Sequence, residues 1–242
     1  MSNCKNVAQQ YTKLSMSTIL LHIETSTQVC SIALSENDKC IALKEDSQKN
    51  MHAASITLFI QDVLNQTNLS LKNVDAICVS QGPGSYTGLR IGVSTAKGIC
   101  FALDKPLIGV NSLLAMTNGF LKEYGNKIKE NTFLIPMIDA RRMEVFCSVY
   151  SREMELIESA GPKIIDETSF QELVKKHSLC FFGDGAEKCE PLFQANLSVQ
   201  IIKDFYPSAK YLIEPALQAY KENKFENLAY FEPSYLKEFY FS

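Results

Sequence analysis

The order in which two kinds of apolar pattern follow one another constrains this fold more than any other feature of the chain. Residues 18–23 form a continuous apolar run, as in a strand buried on both faces. Runs at 29–34 and 40–44 follow at hairpin distances, with Glu36-Asn37-Asp38 as the turn. From residue 52 to 65 the period changes: Ile56, Phe59, Ile60, Val63 and Leu64 recur at three- and four-residue steps, which predicts a helix. Strand and helix then alternate, with strands at 74–80 and 107–110 and helices at 86–103 and 112–121. After a polar linker at 126–130 the same order returns more loosely. Strands at 132–138 and 145–150 flank Asp139-Ala140-Arg141-Arg142, and a third run lies at 154–159. A helix near 169–176, a strand at 179–183, a glycine-rich turn and a helix near 208–221 complete it. An antiparallel meander followed by alternating strands and helices, written twice, predicts a duplicated α/β unit with a cleft between two lobes. The expected division is an N-terminal extension at 1–16, a first lobe at 17–121 and a second lobe with the C-terminal tail at 122–242. Met16 stands just before the first strand pattern, so Met1 and Met16 are alternative starts.

Composition narrows the function classes. Hydrophobic residues make up 46% and charged residues 21%, the profile of a soluble globular chain. No apolar run reaches the roughly 18 residues of a membrane helix, so no membrane role is expected. The first residues lack the apolar core of a secretory signal. A net charge of −3 argues against a chain that grips nucleic acid by itself, since phosphate contacts need a basic face. The short basic clusters at 122–129 and at Lys175-Lys176 read as solvated helix ends. None of the 8 cysteines is spaced as C-x-x-C, and Cys30, Cys78, Cys147 and Cys180 fall inside strand-like runs. Unpaired thiols without a secretion signal point to a reducing cytoplasm.

The most informative stretch is Gln81-Gly82-Pro83-Gly84-Ser85-Tyr86-Thr87-Gly88-Leu89-Arg90-Ile91-Gly92, which follows a strand and opens a helix. It lacks the G-x-x-x-x-G-K-[ST] spacing of a phosphate-binding P-loop. It reads G-x-G-x-x-x-G, one residue longer than the dinucleotide fingerprint. A generic anion site at the helix start stays open on sequence grounds. Within the helix, Leu89, Val93, Ala96, Cys100 and Leu103 form one apolar stripe. Gly88, Gly92, Thr95, Ile99 and Ala102 form a neighbouring one that begins with the smallest residues. Each interior glycine costs about 1 kcal/mol of helix stability relative to alanine. Small residues four apart admit another backbone, either within the same lobe or from another subunit.

Four stretches carry a resemblance. Ile19-Leu20-Leu21-His22-Ile23-Glu24-Thr25-Ser26-Thr27 resembles the first hairpin of the TsaB (YeaZ) family, and Gly82 to Arg90 resembles that family's most specific motif. Ile138-Asp139-Ala140-Arg141-Arg142-Met143-Glu144-Val145-Phe146 and Glu232-Pro233-Ser234-Tyr235-Leu236 are similar as well, in order along nearly the whole chain. The resemblance implies a duplicated actin-like (ASKHA, RNase H-like) two-lobe fold. It implies a subunit that works beside a TsaD-type catalytic subunit and a TsaE-type ATPase. Together they place threonylcarbamoyl on N6 of adenosine 37 of tRNA, with tRNA met only through the complex. It implies pairing through the first-lobe helices, so Ser85, Tyr86, Gly88, Gly92, Thr95, Ile99, His52 and Ile56 are the expected partner-binding residues. The same apolar surface predicts a homodimer in isolation.

The chain departs from catalytic relatives. TsaD-type subunits hold a metal through H-x-x-x-H; the corresponding positions here are Ser112 and Met116, so no metal site is expected. His22 reads as a core imidazole, His52 as a helix-start residue and His177 as a helix-end cation. The turns at Glu24-Thr25-Ser26-Thr27 and Asp139-Ala140-Arg141-Arg142 lack the glycines with which actin-like ATPases approach phosphate. Thr25, Ser26, Asp139, Gly183 and Gly185 remain as nucleotide-facing candidates, with a turn-forming role for Asp139 and a tight turn at Gly183-Asp184-Gly185-Ala186 as the alternatives. No tightly held cofactor is expected; ATP or ADP would enter at the junction of a complex. The competing class is an actin-like ATPase or a metal-dependent peptidase of the glycoprotease group.

Overall fold

The computed structural model describes residues 17–47 and 52–237, with the side chains of 52–54 left aside. The expected extension at 1–16, including both candidate start methionines, lies outside the described residues. The first sheet holds β1 (Ile19–Glu24), β2 (Cys30–Glu36), β3 (Lys39–Asp46), β4 (Ala76–Gly82) and β5 (Leu107–Asn111), in the order β3-β2-β1-β4-β5. The second holds β6 (Thr132–Asp139), β7 (Glu144–Tyr150), β8 (Leu156–Ile164), β9 (Ser178–Phe182) and β10 (Val199–Ile202), in the order β8-β7-β6-β9-β10. Both sheets therefore follow one plan: an antiparallel meander whose first strand also pairs in parallel with the fourth. The duplicated unit expected from the sequence is present.

Helices α1 (His52–Thr67) and α2 (Tyr86–Leu103) cover the outer face of the first sheet. Leu21, Ile23, Ile32 and Val79 from the strands meet Ile56, Ile60, Val63, Val93 and Ala96 from the helices. The second outer layer is thinner. Short helices α4 (Gln171–Val174) and α5 (Glu190–Phe193) cover Met137, Val145, Cys147 and Phe181.

Between the sheets the two halves exchange elements. Helix α3 (Ser112–Tyr124) follows the first sheet, but Met116 and Phe120 pack on Ile138, Phe146 and Phe182 of the second. The rings of Phe120 and Phe182 stack at 3.9 Å. Helix α6 (Ile213–Lys221) follows the second sheet, but Ala216 and Leu217 pack on Leu20, Cys78 and Ile108 of the first. The tail continues in the same direction. Phe231 enters the first core, Glu226 N–H donates to the Leu107 carbonyl (2.9 Å), and Lys97 Nζ donates to the Phe231 carbonyl (2.9 Å). A second lobe running unbroken from 122 to 242 is thus corrected: residues 209–235 belong by packing to the first sheet, because their apolar side chains find its inner face and edge. No helix among the described residues is long and apolar enough to cross a membrane.

Candidate functional site at the strand ends and the outer helix face

Ligands of open α/β sheets sit beyond the carboxyl ends of the parallel strands. In the first sheet that ground is occupied by the chain itself. Glu24 turns back on its own loop, where Ser26 N–H donates to Glu24 Oε1 at 2.6 Å. Thr25 N–H donates to Ser80 Oγ at 3.3 Å. Burial raises the Glu24 carboxyl above its ordinary range, and hydrogen bonds from Ser26, Ser80 and Thr25 offset part of that. The glycine motif then closes over the turn. Ser85 N–H donates to the Ser26 carbonyl at 2.6 Å, and Ser85 Oγ caps α2 by accepting from Gly88 N–H at 3.3 Å. A Cβ on Gly84 would stand 2.2 Å from the Ser26 carbonyl oxygen. One on Gly88 would stand 2.2 Å from the Thr25 carbonyl oxygen, and one on Gly92 2.3 Å from Thr25 Oγ1.

These contacts overturn several expectations. Gly88 and Gly92 are buried against the end of β1, so their small size serves packing within the lobe and not a neighbouring subunit. Ile56 is 2% exposed and belongs to the first core, so it faces no partner either. Thr25 and Ser26 lie fully buried under α2, so neither faces an open nucleotide site. His52 opens α1, but its side chain lies outside the described residues.

The second lobe repeats the arrangement. Asp139, at the end of β6, accepts from Arg141 N–H at 2.8 Å, while Arg141 and Arg142 take positive φ of 69° and 47° in the hairpin turn. Lys188 Nζ meets Asp139 Oδ1 at 2.5 Å. Gly183 has φ +104°, and a Cβ there would stand 2.2 Å from the Met137 carbonyl oxygen. One on Gly185 would stand 2.8 Å from the Ile138 carbonyl carbon. Both glycines are buried against β6, which makes this a tight strand-to-helix turn and corrects their nucleotide-facing assignment. Asp139 is a turn former held by a lysine. Beside it Asp184 is raised to about 6, chiefly by burial.

The open part of the space between the lobes is a cavity of about 380 Å³ lined by Glu45, Asp46, Glu123, Asp204, Lys210 and Tyr211, among others. Its carboxylates outnumber its cations, which disfavours phosphate. Among the described residues no three His, Cys, Asp or Glu side chains gather as metal ligands. Ser112 and Met116 are both buried, Met116 within the interlobe core. His22 Nε2 meets Ser35 Oγ at 2.8 Å, and burial lowers its pKa to about 3. His177 Nδ1 meets Asn131 Oδ1 at 2.7 Å while its ring stacks on Phe133.

What remains open is the outward face of α1 and α2. Phe101 is 83% exposed and Leu58 58%. Thr87, Ser94, Gly98 and Ala102 are exposed along the same side of α2, and a Cβ on Gly98 would meet nothing. Thr95 and Ile99 are half-buried, Ile99 at the rim of the first core. At the start of α2 the Tyr86 ring lies 4.8 Å from that of Tyr235, and the Arg90 guanidinium stands 4.4 Å over Tyr86. The sequence reading missed Leu58, Ser94, Gly98 and Phe101. Their signal was available for Leu58 and Phe101, large apolar residues out of phase with the stripes that built the helices.

Two sheets of one plan, exchanged linking helices and a strand-end turn closed by a glycine-led helix define a duplicated actin-like protein. The family described as TsaD, tRNA N6-adenosine threonylcarbamoyltransferase, matches residues 41–240. A protein of Escherichia coli K12 described as tRNA threonylcarbamoyladenosine biosynthesis protein TsaB is 29% identical over 226 residues, covering 90% of this chain and 94% of that one. The protein of that description from Buchnera aphidicola subsp. Acyrthosiphon pisum is 31% identical over 204 residues, covering 82% and 88%. The solved structure of YeaZ from Pseudomonas aeruginosa superposes with a TM-score of 0.73 at 25% identity, covering 90% of this chain and all of that one. The chain belongs to the TsaB (YeaZ) family, within the wider threonylcarbamoyltransferase group.

Proposed function

We propose that this chain is a non-catalytic subunit of the machinery that makes threonylcarbamoyladenosine at position 37 of tRNA, and that it docks a TsaD-type catalytic subunit on the outward face of α1 and α2. The observation that carries the reading is the pairing of a closed strand-end site with an open helix face. Where actin-like ATPases hold phosphate, Gly84, Gly88 and Gly92 press α2 onto Ser26 and Thr25. Phe101 meanwhile stands exposed on α2, the helix that also carries the exposed small residues Ser94 and Gly98, and Leu58 stands exposed on α1. Large apolar groups of this exposure mark association surfaces. Small neighbours let a partner helix approach closely. In isolation a second copy takes the same face, giving a homodimer. A TsaE-type ATPase and tRNA join through the complex in the cytoplasm, and ATP or ADP enters at the subunit junction.

The test is binding of purified TsaD-type subunit by calorimetry and size exclusion. The unaltered chain is expected to bind at micromolar concentration or tighter. The pair Phe101→Asp with Leu58→Asp, both on the surface, is expected to weaken binding at least 100-fold with an unchanged Tm. Undiminished binding by that pair, at unchanged Tm, sinks the proposed face.

A further inference from the structure

Helix α2 carries two charged residues, Arg90 and Lys97, and both are cations. Lys97 is engaged, its Nζ donating to the carbonyls of Phe231 (2.9 Å) and Ala229 (3.4 Å). On α1 the acid Asp62 pairs with Lys44. Arg90 is exposed and has no ion pair among the described residues. Its guanidinium is nevertheless held in one place. It lies 4.4 Å over the Tyr86 ring, and that ring lies 4.8 Å from the ring of Tyr235, tilted by 35°. Arg90 Nε donates to Tyr235 Oη at 3.2 Å. Tyr235 is itself fixed by the bond before it, in which Ser234 N–H donates to the Gln81 carbonyl at 2.6 Å. The tail thus steadies a side chain of α2 whose two terminal nitrogens point to no partner among the described residues. Ser94 and Phe101 follow Arg90 on the same side of the helix, with Phe101 about three turns or 16 Å away.

Taking the docking face proposed above as given, we propose that Arg90 is its charged anchor, that it receives a carboxylate of the TsaD-type subunit, and that Tyr235 is its positioning residue. A guanidinium covered by a partner loses water, so the partner has to supply an acceptor. A carboxylate matches the planar fork of the terminal nitrogens with two parallel bonds. A nucleic-acid backbone would call for a field of cations, whereas α2 has two, one of them engaged, in a chain of net charge −3. Stacking on Tyr86 and the bond to Tyr235 fix the arginine before the partner arrives. That spares the rotamer freedom a loose arginine would lose on binding. The face therefore fits a partner surface with an acidic side chain about 16 Å from an apolar pocket for Phe101.

The experiment measures binding of the purified TsaD-type subunit to the full chain by calorimetry at two salt concentrations. Arg90→Gln is expected to weaken binding about tenfold or more with an unchanged Tm, and to flatten the loss of affinity with salt. Arg90→Lys, which keeps the charge but not the fork, is expected to fall between the two. Tyr235→Phe keeps the ring and removes the oxygen. It is expected to weaken binding in the unaltered chain and to change nothing in Arg90→Gln. Equal binding by Arg90→Gln, while Phe101→Asp with Leu58→Asp still weakens it, overturns the role of Arg90 and leaves the docking face standing. Equal binding by both sets of variants removes the face itself. Arg90→Gln that binds the TsaD-type subunit normally but lowers the affinity of the assembled complex for tRNA assigns the anchor to a phosphate and also overturns the inference. A Tyr235→Phe loss of the same size with and without Arg90 rejects the positioning role.

Discussion

The turns at the ends of β1 and β6 occupy equivalent places in the two sheets, and their differences show what each lobe is built for. Each carries a carboxylate that folds back to accept an N–H two residues on, from Ser26 to Glu24 and from Arg141 to Asp139. Each is overlaid by glycines that follow the fourth strand of its sheet, Gly84 and Gly88 in one, Gly183 and Gly185 in the other. In the first lobe the overlay continues into the long helix α2, and Glu24 is buried with no cation paired to it among the described residues. In the second the helices are short, and Asp139 reaches the surface and a lysine. The first lobe gives up access at the strand ends and gains a rigid helix pair with a free outer face. The second keeps a solvated turn and, among the described residues, presents no comparable helix face.

The sharpest way to break this comparison is to enlarge the glycines. Gly92→Leu is expected to prevent folding, since even a methyl group would fall 2.3 Å from Thr25 Oγ1. Gly183→Ala is expected to cost about 2–3 kcal/mol, combining a positive φ with a 2.2 Å approach to the Met137 carbonyl. Circular dichroism melts of both variants check this. A well-folded Gly92→Leu chain would mean that α2 stands off β1 in solution, and the face argument would have to be rebuilt.

A titration separates two buried groups, because His22 in the first lobe and Asp184 in the second shift in opposite directions. His22 in the first lobe has a folded pKa of about 3 against 6.5, so its neutral form is favoured in the fold. Its contribution is complete above pH 6.5 and is lost as pH falls toward 3. Asp184 in the second lobe is raised to about 6 from 3.8, so its protonated form is favoured. Its contribution is complete below pH 3.8 and is lost as pH rises through about 6. Glu24 shifts in the same sense as Asp184. Denaturant midpoints across pH 3–8 are expected to show acid loss that His22→Asn reduces. Asp184→Asn is expected to add on the order of 1 kcal/mol at pH 7 and nothing near pH 4. Equal pH profiles for the two variants would remove the distinction.

Most of the architecture was legible because periodicity and burial are read at the same residues. The run at residues 86–103 gave α2 to the residue, and the change from continuous to helical pattern separated sheet from cover. Strand β10 and helix α5, each 4 residues long, carry too few residues for a period to show. The return of 209–235 to the first sheet is a long-range choice that local pattern does not encode. Neither is the direction of a glycine: Gly88 and Gly92 announced a close approach, and only the position of β1 decided that Thr25 makes it. The candidate face suffered from the same limit. Ser85, Tyr86, Thr95 and Ile99 lie on or near the outward side of α2, whereas Ile56 followed the stripe inward.

The smallest expected effect tests the two sides of α2 against each other. Gly98 lies in the same helix as Gly88 and Gly92, yet a Cβ there meets nothing within 4 Å. With no close approach among the described residues, its smallness serves no packing against them and carries only the helix cost of glycine. Gly98→Ala is therefore expected to stabilise the chain by about 0.5–1 kcal/mol, a rise of roughly 2–4 °C in Tm. The association measurement gives the other half. If a partner backbone comes near Gly98, the added methyl weakens the complex with a TsaD-type subunit while the isolated chain grows more stable. A variant that gains stability and binds equally well places the contact elsewhere on the helix, toward Phe101. A variant that gains none contradicts the open surroundings of Gly98 and, with them, the contrast between the packed and free sides of this helix.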